Sequence, residues 1–113
     1  MSRTRRLLLC AAESDNTFQR VSLHGRDYWA GRCIHCQSKV SVPLSDDEPA
    51  NATLEHIVPK HHGGTDAPEN LAVACARCNQ GKGKRLDKRR ADDPTLARVI
   101  ATLQQRRSER LRR

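Results

Sequence analysis

Cys33-Ile34-His35-Cys36 and Cys75-Ala76-Arg77-Cys78 form two C-x-x-C pairs with 38 residues between them. Two intervening residues let both thiolates of one pair reach a single ion. Two such pairs complete a tetrahedral four-thiolate shell, the closed arrangement of structural zinc. A redox reading would need a thioredoxin-like βαβ context around one pair, and neither pair has one. The chain is 113 residues long, only 36% hydrophobic, with one Phe, one Tyr and one Trp. A domain this small buries a modest fraction of its surface and commonly needs a staple. Cys33, Cys36, Cys75 and Cys78 supply one, so the stretch between them must fold as a loop closed at its base. The fifth cysteine, Cys10, is left over as a buried or free thiol. His35, inside the first pair, is expected to point to solvent.

Compartment and charge narrow the function classes. The apolar run Leu7 to Ala12 is shorter than a secretory core and is followed by no A-x-A-like cleavage site. No segment has the length of a membrane span. The expectation is a soluble, cytoplasmic protein without a membrane partner, whose paired thiols are reduced and bind metal. The net charge of +8 is unevenly spread: +3 over residues 1–32, −4 over 33–76 and +9 over 77–113. An acidic centre between basic ends suits a metal site mounted between polyanion-binding surfaces, because Lys and Arg that neutralise phosphates release counterions. A charged tail that only keeps the protein soluble is the competing reading for the last twenty residues.

Local patterns divide the chain into a basic N-terminal arm or helix (1–31), a central domain (32–90) and a basic amphipathic C-terminal helix (91–113). The mixture of Phe18, Val21, Leu23, Tyr28 and Trp29 with polar residues over 17–30 predicts a short helix or irregular arm ended by Gly31. "KVSVPL" (39–44) alternates like a half-buried strand, "SDDEPANA" (45–52) is a loop, and "TLEHIVP" (53–59) alternates again up to a proline. "HHGGTDAPEN" is turn chemistry, "LAVAC" (71–75) is a second short strand, and a helix should begin at 76. Asp93 before Pro94 starts the last helix. Leu96, Val99, Ile100, Leu103 and Leu111 fall on one of its faces and arginines on the other.

The residues between the cysteine pairs carry the chemistry. His56 is followed by Asn70 after thirteen residues and Asn70 by Asn79 after eight, amid "EHIVP", "GG", "ENL" and "CARCNQGKGK". Over about residues 32–85 this resembles the HNH endonuclease family, in the form whose third position is Asn. The resemblance implies a small α+β, ββα-metal (His-Me finger) fold, zinc-stapled by the two C-x-x-C pairs and flanked by helices. It implies that His56 is the general base of phosphodiester hydrolysis. One divalent ion, Mg²⁺ or Mn²⁺, would be held by Glu55 and the side-chain oxygen of Asn79, while Asn70 hydrogen-bonds loop backbone and orients His56. The products would carry 5′ phosphate and 3′ hydroxyl. Family members more often have Asp than Glu before the histidine. Neighbours in a strand face opposite ways, so Glu55 and His56 share one site only if the strand ends or bulges there.

Lys60, His61, Lys82, Lys84 and Arg85 are the candidate phosphate contacts, with a merely solvated face as the bland alternative; His62 is a turn residue on the same reading. DNA is the expected partner and RNA stays open, since three aromatics offer little stacking platform and favour recognition of duplex shape and phosphates. Low sequence specificity, or targeting by a partner protein, follows from the small size. The reading from a different class is a non-catalytic zinc module that binds nucleic acid within a larger complex.

Overall fold

The computed structural model describes residues 1–112. Ser2 begins the first helix, its hydroxyl accepting the Arg5 backbone N–H at 3.0 Å, as an N-cap should. Helix α1 (Arg3–Glu13) buries Leu8, Ala11 and Ala12. The next segment departs from the expected helix or arm. Strands β1 (Gln19–Leu23) and β2 (Arg26–Arg32) form an antiparallel hairpin, joined by His24 and Gly25, both at positive φ. Two left-handed residues in a two-residue loop match the right-handed twist of the strands. Gly31 is not a terminator. It lies within β2, where an added Cβ would stand 2.4 Å from the ring of the fully buried Phe18.

Strand β3 (Lys39–Pro43) completes a three-stranded sheet in the order β1-β2-β3. A separate two-stranded sheet pairs β4 (Thr53–His56) with β5 (Leu71–Ala74), Glu55 opposite Ala72 and His56 opposite Leu71. Helix α2 (Ala76–Arg85) follows β5 at once and packs on β4, which makes the β4-β5-α2 unit. Single 3-10 turns at Lys60–His62 and Pro68–Asn70 shape the connection between the two strands. Gly63, at φ 91, closes the first of them, and a Cβ on Gly64 would collide with the Val58 carbonyl oxygen.

Helix α3 (Pro94–Arg110) is capped by Asp93, whose carboxylate accepts the Thr95 and Leu96 N–H groups. Leu96 and Leu103 are buried and Val99 and Ile100 half-buried, as the apolar stripe predicts. Leu111 lies just past the helix and bridges to Asp15. The arginines do not all face solvent: Arg107 and Arg110 are buried. Arg107 donates to Ser14 Oγ and the Pro68 carbonyl, and Arg110 to the Arg32 carbonyl. Arg112 donates to the carbonyls of Glu13, Asp15 and Phe18. One hydrophobic core takes Leu8 from α1, Phe18, Val40 and Val42 from the sheet region, Val73 from β5 and Leu103 from α3. Among the described residues no helix is long and apolar enough to cross a membrane.

Candidate active site

Four thiols meet where β2 and β5 end. The Sγ atoms of Cys33, Cys36, Cys75 and Cys78 all lie within 4.8 Å of one another, with Cys36 and Cys75 3.9 Å apart. Thiolates bound tetrahedrally to zinc at about 2.3 Å are separated by distances of this size, so the residues fit the ion. Backbone N–H groups of His35 and Cys75 point at Cys33 Sγ. The exposed Cys36 thiol is drawn down to about 6, chiefly by the Ser38 hydroxyl and then its backbone N–H, whereas burial pushes Cys78 up. Cys10 stands apart, free and exposed.

His56 ends β4 and opens into a cleft of about 500 Å³, lined also by Asn79 and Gly83 of α2, by Lys60 and His61, and by Asp87 and Lys88. Two of the expected catalytic residues, His56 and Asn79, therefore share one space. The Asn79 amide donates to Thr53 Oγ1 at 2.9 Å and to the Leu54 carbonyl at 3.0 Å. Both its N–H bonds are thus turned to β4, and Oδ1 is left uncommitted. Asn70 lies behind the loop. Its side chain accepts from Val58 N and donates to the carbonyls of Val58 and Thr65, while its own carbonyl accepts from Ile57 N. These four bonds fix the backbone that leaves His56.

Sequence reasoning missed the nearest partner of His56. Its Nε2 is 2.8 Å from Asp66 Oδ1, and the other oxygen of Asp66 takes Arg3 at 2.8 Å and Lys60 at 3.3 Å. The His56 bond first, then Arg3, then Lys60, hold the Asp66 carboxyl well below the usual carboxylate range. Nothing in "GGTD" singles this aspartate out from an ordinary turn residue, and Arg3 lies 63 positions away in sequence.

Glu55 takes the other side of the strand. No bulge interrupts the β4–β5 register, so Glu55 and His56 alternate, but β4 ends at His56, which is the other condition under which the two residues could serve one site. The Glu55 side chain is 1% exposed. Its Oε2 accepts from His35 Nε2, and Oε1 is buried, without a hydrogen bond and 3.8 Å from Lys82 Nζ. His35 is thus turned inward rather than to solvent, because a buried carboxylate needs a partner. Lys82 is likewise buried. Its ammonium binds Asp87 Oδ1 at 2.8 Å and the His56 carbonyl at 3.3 Å, so its charge is consumed inside the domain rather than offered to a phosphate.

The other candidate phosphate contacts differ among themselves. Lys60 and Lys84 are exposed, and Lys60 lines the cleft. Arg85 is exposed on a different face of α2. His61 and His62 both donate to the Asp87 carbonyl, at 2.6 and 3.0 Å, and latch the loop onto the segment after α2. The fit for a second, hard cation rests on Glu55 and Asn79. Oxygen donors suit Mg²⁺, which keeps several waters; among the described residues Glu55 Oε1 has no hydrogen bond but lies buried on the inner face of β4, while Asn79 lines the cleft.

A strand pair and a helix are closed at the base by four cysteines that fit a zinc ion, and a histidine and an asparagine line one cleft beside them. A family model for the HNH endonuclease matches residues 33–85. These residues, a little under half of the chain, match the HNH endonuclease domain, and the β4-β5-α2 unit is consistent with that family's ββα-metal fold. Over 53 residues the chain is 38% identical to the CRISPR-associated endonuclease Cas9 of Corynebacterium diphtheriae, a stretch that is 46% of this chain and 4% of that protein. The chain therefore corresponds to a small part of that relative. No solved structure gave a significant match.

Proposed function

We propose that the domain hydrolyses DNA phosphodiester bonds with His56 as general base, and that Asn79, joined by Glu55 once its carboxylate turns away from His35, holds one Mg²⁺ or Mn²⁺ ion. The observation that carries this reading is the cleft shared by His56 and Asn79, with His56 held from behind by Asp66. Since Asp66 is ionised, His56 Nε2 carries the hydrogen it donates, and Nδ1 keeps the lone pair. A neutral imidazole can take a proton from water near neutral pH. His56 accepts that proton as the water oxygen bonds to phosphorus, the P–O3′ bond breaks, and the leaving O3′ takes a proton from solvent water, which gives 5′ phosphate and 3′ hydroxyl ends. An ion held there would supply positive charge that offsets the negative charge building on the phosphate. Lys88, and Lys60 beside its partner Asp66, line the cleft and would meet adjacent phosphates.

Incubation of supercoiled plasmid with Mg²⁺ or Mn²⁺ tests the reading. The wild-type protein should nick and linearise it, with unrelated plasmids cut alike if specificity is low. His56→Ala should lose roughly 10²- to 10⁴-fold in rate, the usual contribution of a positioned general base. Equal cutting by His56→Ala and wild type, at matched zinc content, would retire the assignment in favour of a zinc-dependent module that only binds nucleic acid.

A further inference from the structure

Helix α2 shows two separate faces to open space. Asn79 and Gly83 look into the His56 cleft. Arg77, Gly81 and Arg85, each four residues apart, line a second groove of about 560 Å³ against α3, which Arg89 and Val99 close. A shallower hollow continues along α3 past Arg98 and Arg106 and shares His35 and Val99 with the groove. The two make one trough over the first cysteine knuckle.

Its charge is one-sided. No Asp or Glu lines either part among the described residues. Arg77, Arg85 and Arg98 are exposed, and among the described residues none of the three forms an ion pair through its guanidinium. Some other surface arginines are neutralised, Arg20 by Asp27 and Arg26 by Asp47 and Glu48, and within the trough Arg89 is held by Asp93, which leaves Arg77, Arg85 and Arg98 as its exposed, unpaired guanidinium groups among the described residues. Guanidinium groups gathered without counter-charge raise the local potential and suit bidentate recognition of phosphate. The walls between them are aliphatic, and no Phe, Tyr or Trp lines the trough. A strand would therefore be held by its backbone and not by stacked bases.

We propose that the α2–α3 trough is a second nucleic-acid backbone site, distinct from the scissile-phosphate cleft, in which Arg77, Arg85 and Arg98 pair with phosphates. The proposal rests on the reading that the chain binds nucleic acid, but not on its cutting it.

The test uses the full chain carrying His56→Ala, so that DNA survives, and a fluorescent DNA duplex titrated over a range of salt concentrations. Each phosphate contact contributes about 0.9 to the slope of log K against log salt. The R77Q/R85Q/R98Q variant should therefore bind more weakly, with a slope lower by about 2.7. The control R20Q/R26Q, which removes arginines already paired, should keep the parental slope. An unchanged slope in the triple variant, or an equal fall in the control, overturns the trough. If the triple variant loses zinc or folded structure, Arg98→Gln alone must lower the slope by about 0.9. Plasmid cleavage by the wild-type chain reads the catalytic proposal separately. A protein that cuts DNA with an unaltered trough slope sinks the trough alone, and one that binds through the trough but never cuts sinks the catalytic reading alone.

Discussion

An imidazole with one nitrogen tied to a carboxylate has one nitrogen left for chemistry, so on the proposed mechanism Asp66 would be a positioning residue for His56. Asp66→Asn should keep zinc and fold yet slow plasmid cleavage roughly tenfold or more, a fraction of what a general base contributes. A KM-against-kcat split would separate this from a structural effect: the loss should fall on kcat with KM little changed, and a loss confined to KM would refute the role. Arg3→Ala should cost less, and nothing further once Asp66 is already Asn, since Arg3 acts through that carboxylate. The same group sets a pH dependence. A carboxyl held below its ordinary range in the fold contributes stability above that range and loses it as pH falls through the lowered value. Asp66→Asn should therefore be less stable than wild type at neutral pH, with the gap closing in strong acid, as read by urea titration at both pH values. His56, Asn79 and the four cysteines were legible in the sequence because fixed spacings and residue types announce them. Asp66, His35 and Arg3 were not, because each acts through a contact that only the folded loop and the packed α1 bring about.

Among the elements, β4, β5, α2 and α3 follow from alternation, the turn glycines and the Asp-Pro cap. The β1–β2 hairpin did not, for a physical reason. Its strand β1 is exposed at every position, so no in–out alternation marks it, and its turn places His24 rather than Asn or Gly at the first left-handed position. Gly31 belongs to that hairpin's packing. Gly31→Val should force Phe18 out of place and destabilise by about 1–3 kcal/mol, as overpacked cores do. In a domain of this size that lowers Tm by roughly 4–8 °C for each kcal/mol. The arginine face of α3 was misjudged because a charged side chain normally stays wet. Here Arg107 reaches Ser14 and Pro68 from inside the core, and burial lowers its pKa. Arg107→Ala would leave those acceptors unpaired and open a void, for a loss of about 2–4 kcal/mol measurable by denaturant titration.

For the whole molecule, two ions with different duties should separate on removal. Brief EDTA treatment that strips a weakly held divalent ion should abolish cleavage, leave the far-UV spectrum intact and be reversed by Mg²⁺. A stronger chelator that takes zinc from the four thiolates should unfold the domain, because the binding free energy of such a site is folding free energy. Loss of structure at the first step, or none at the second, would contradict this division. The net charge also divides at this scale: Arg107, Arg110 and Arg112 satisfy backbone carbonyls and buried groups, so the excess of +8 overstates what a polyanion meets. Those same contacts have a kinetic meaning. Arg112 reaches the Glu13 carbonyl across 99 positions of chain, and joining segments so distant is entropically slow beside local hairpin and helix formation. The seam between the end of α1 and the end of α3 should close last in refolding, after the knuckles have captured zinc. On that order the clasp at residues 110–112 is a latch that closes on a domain whose interior is already in place.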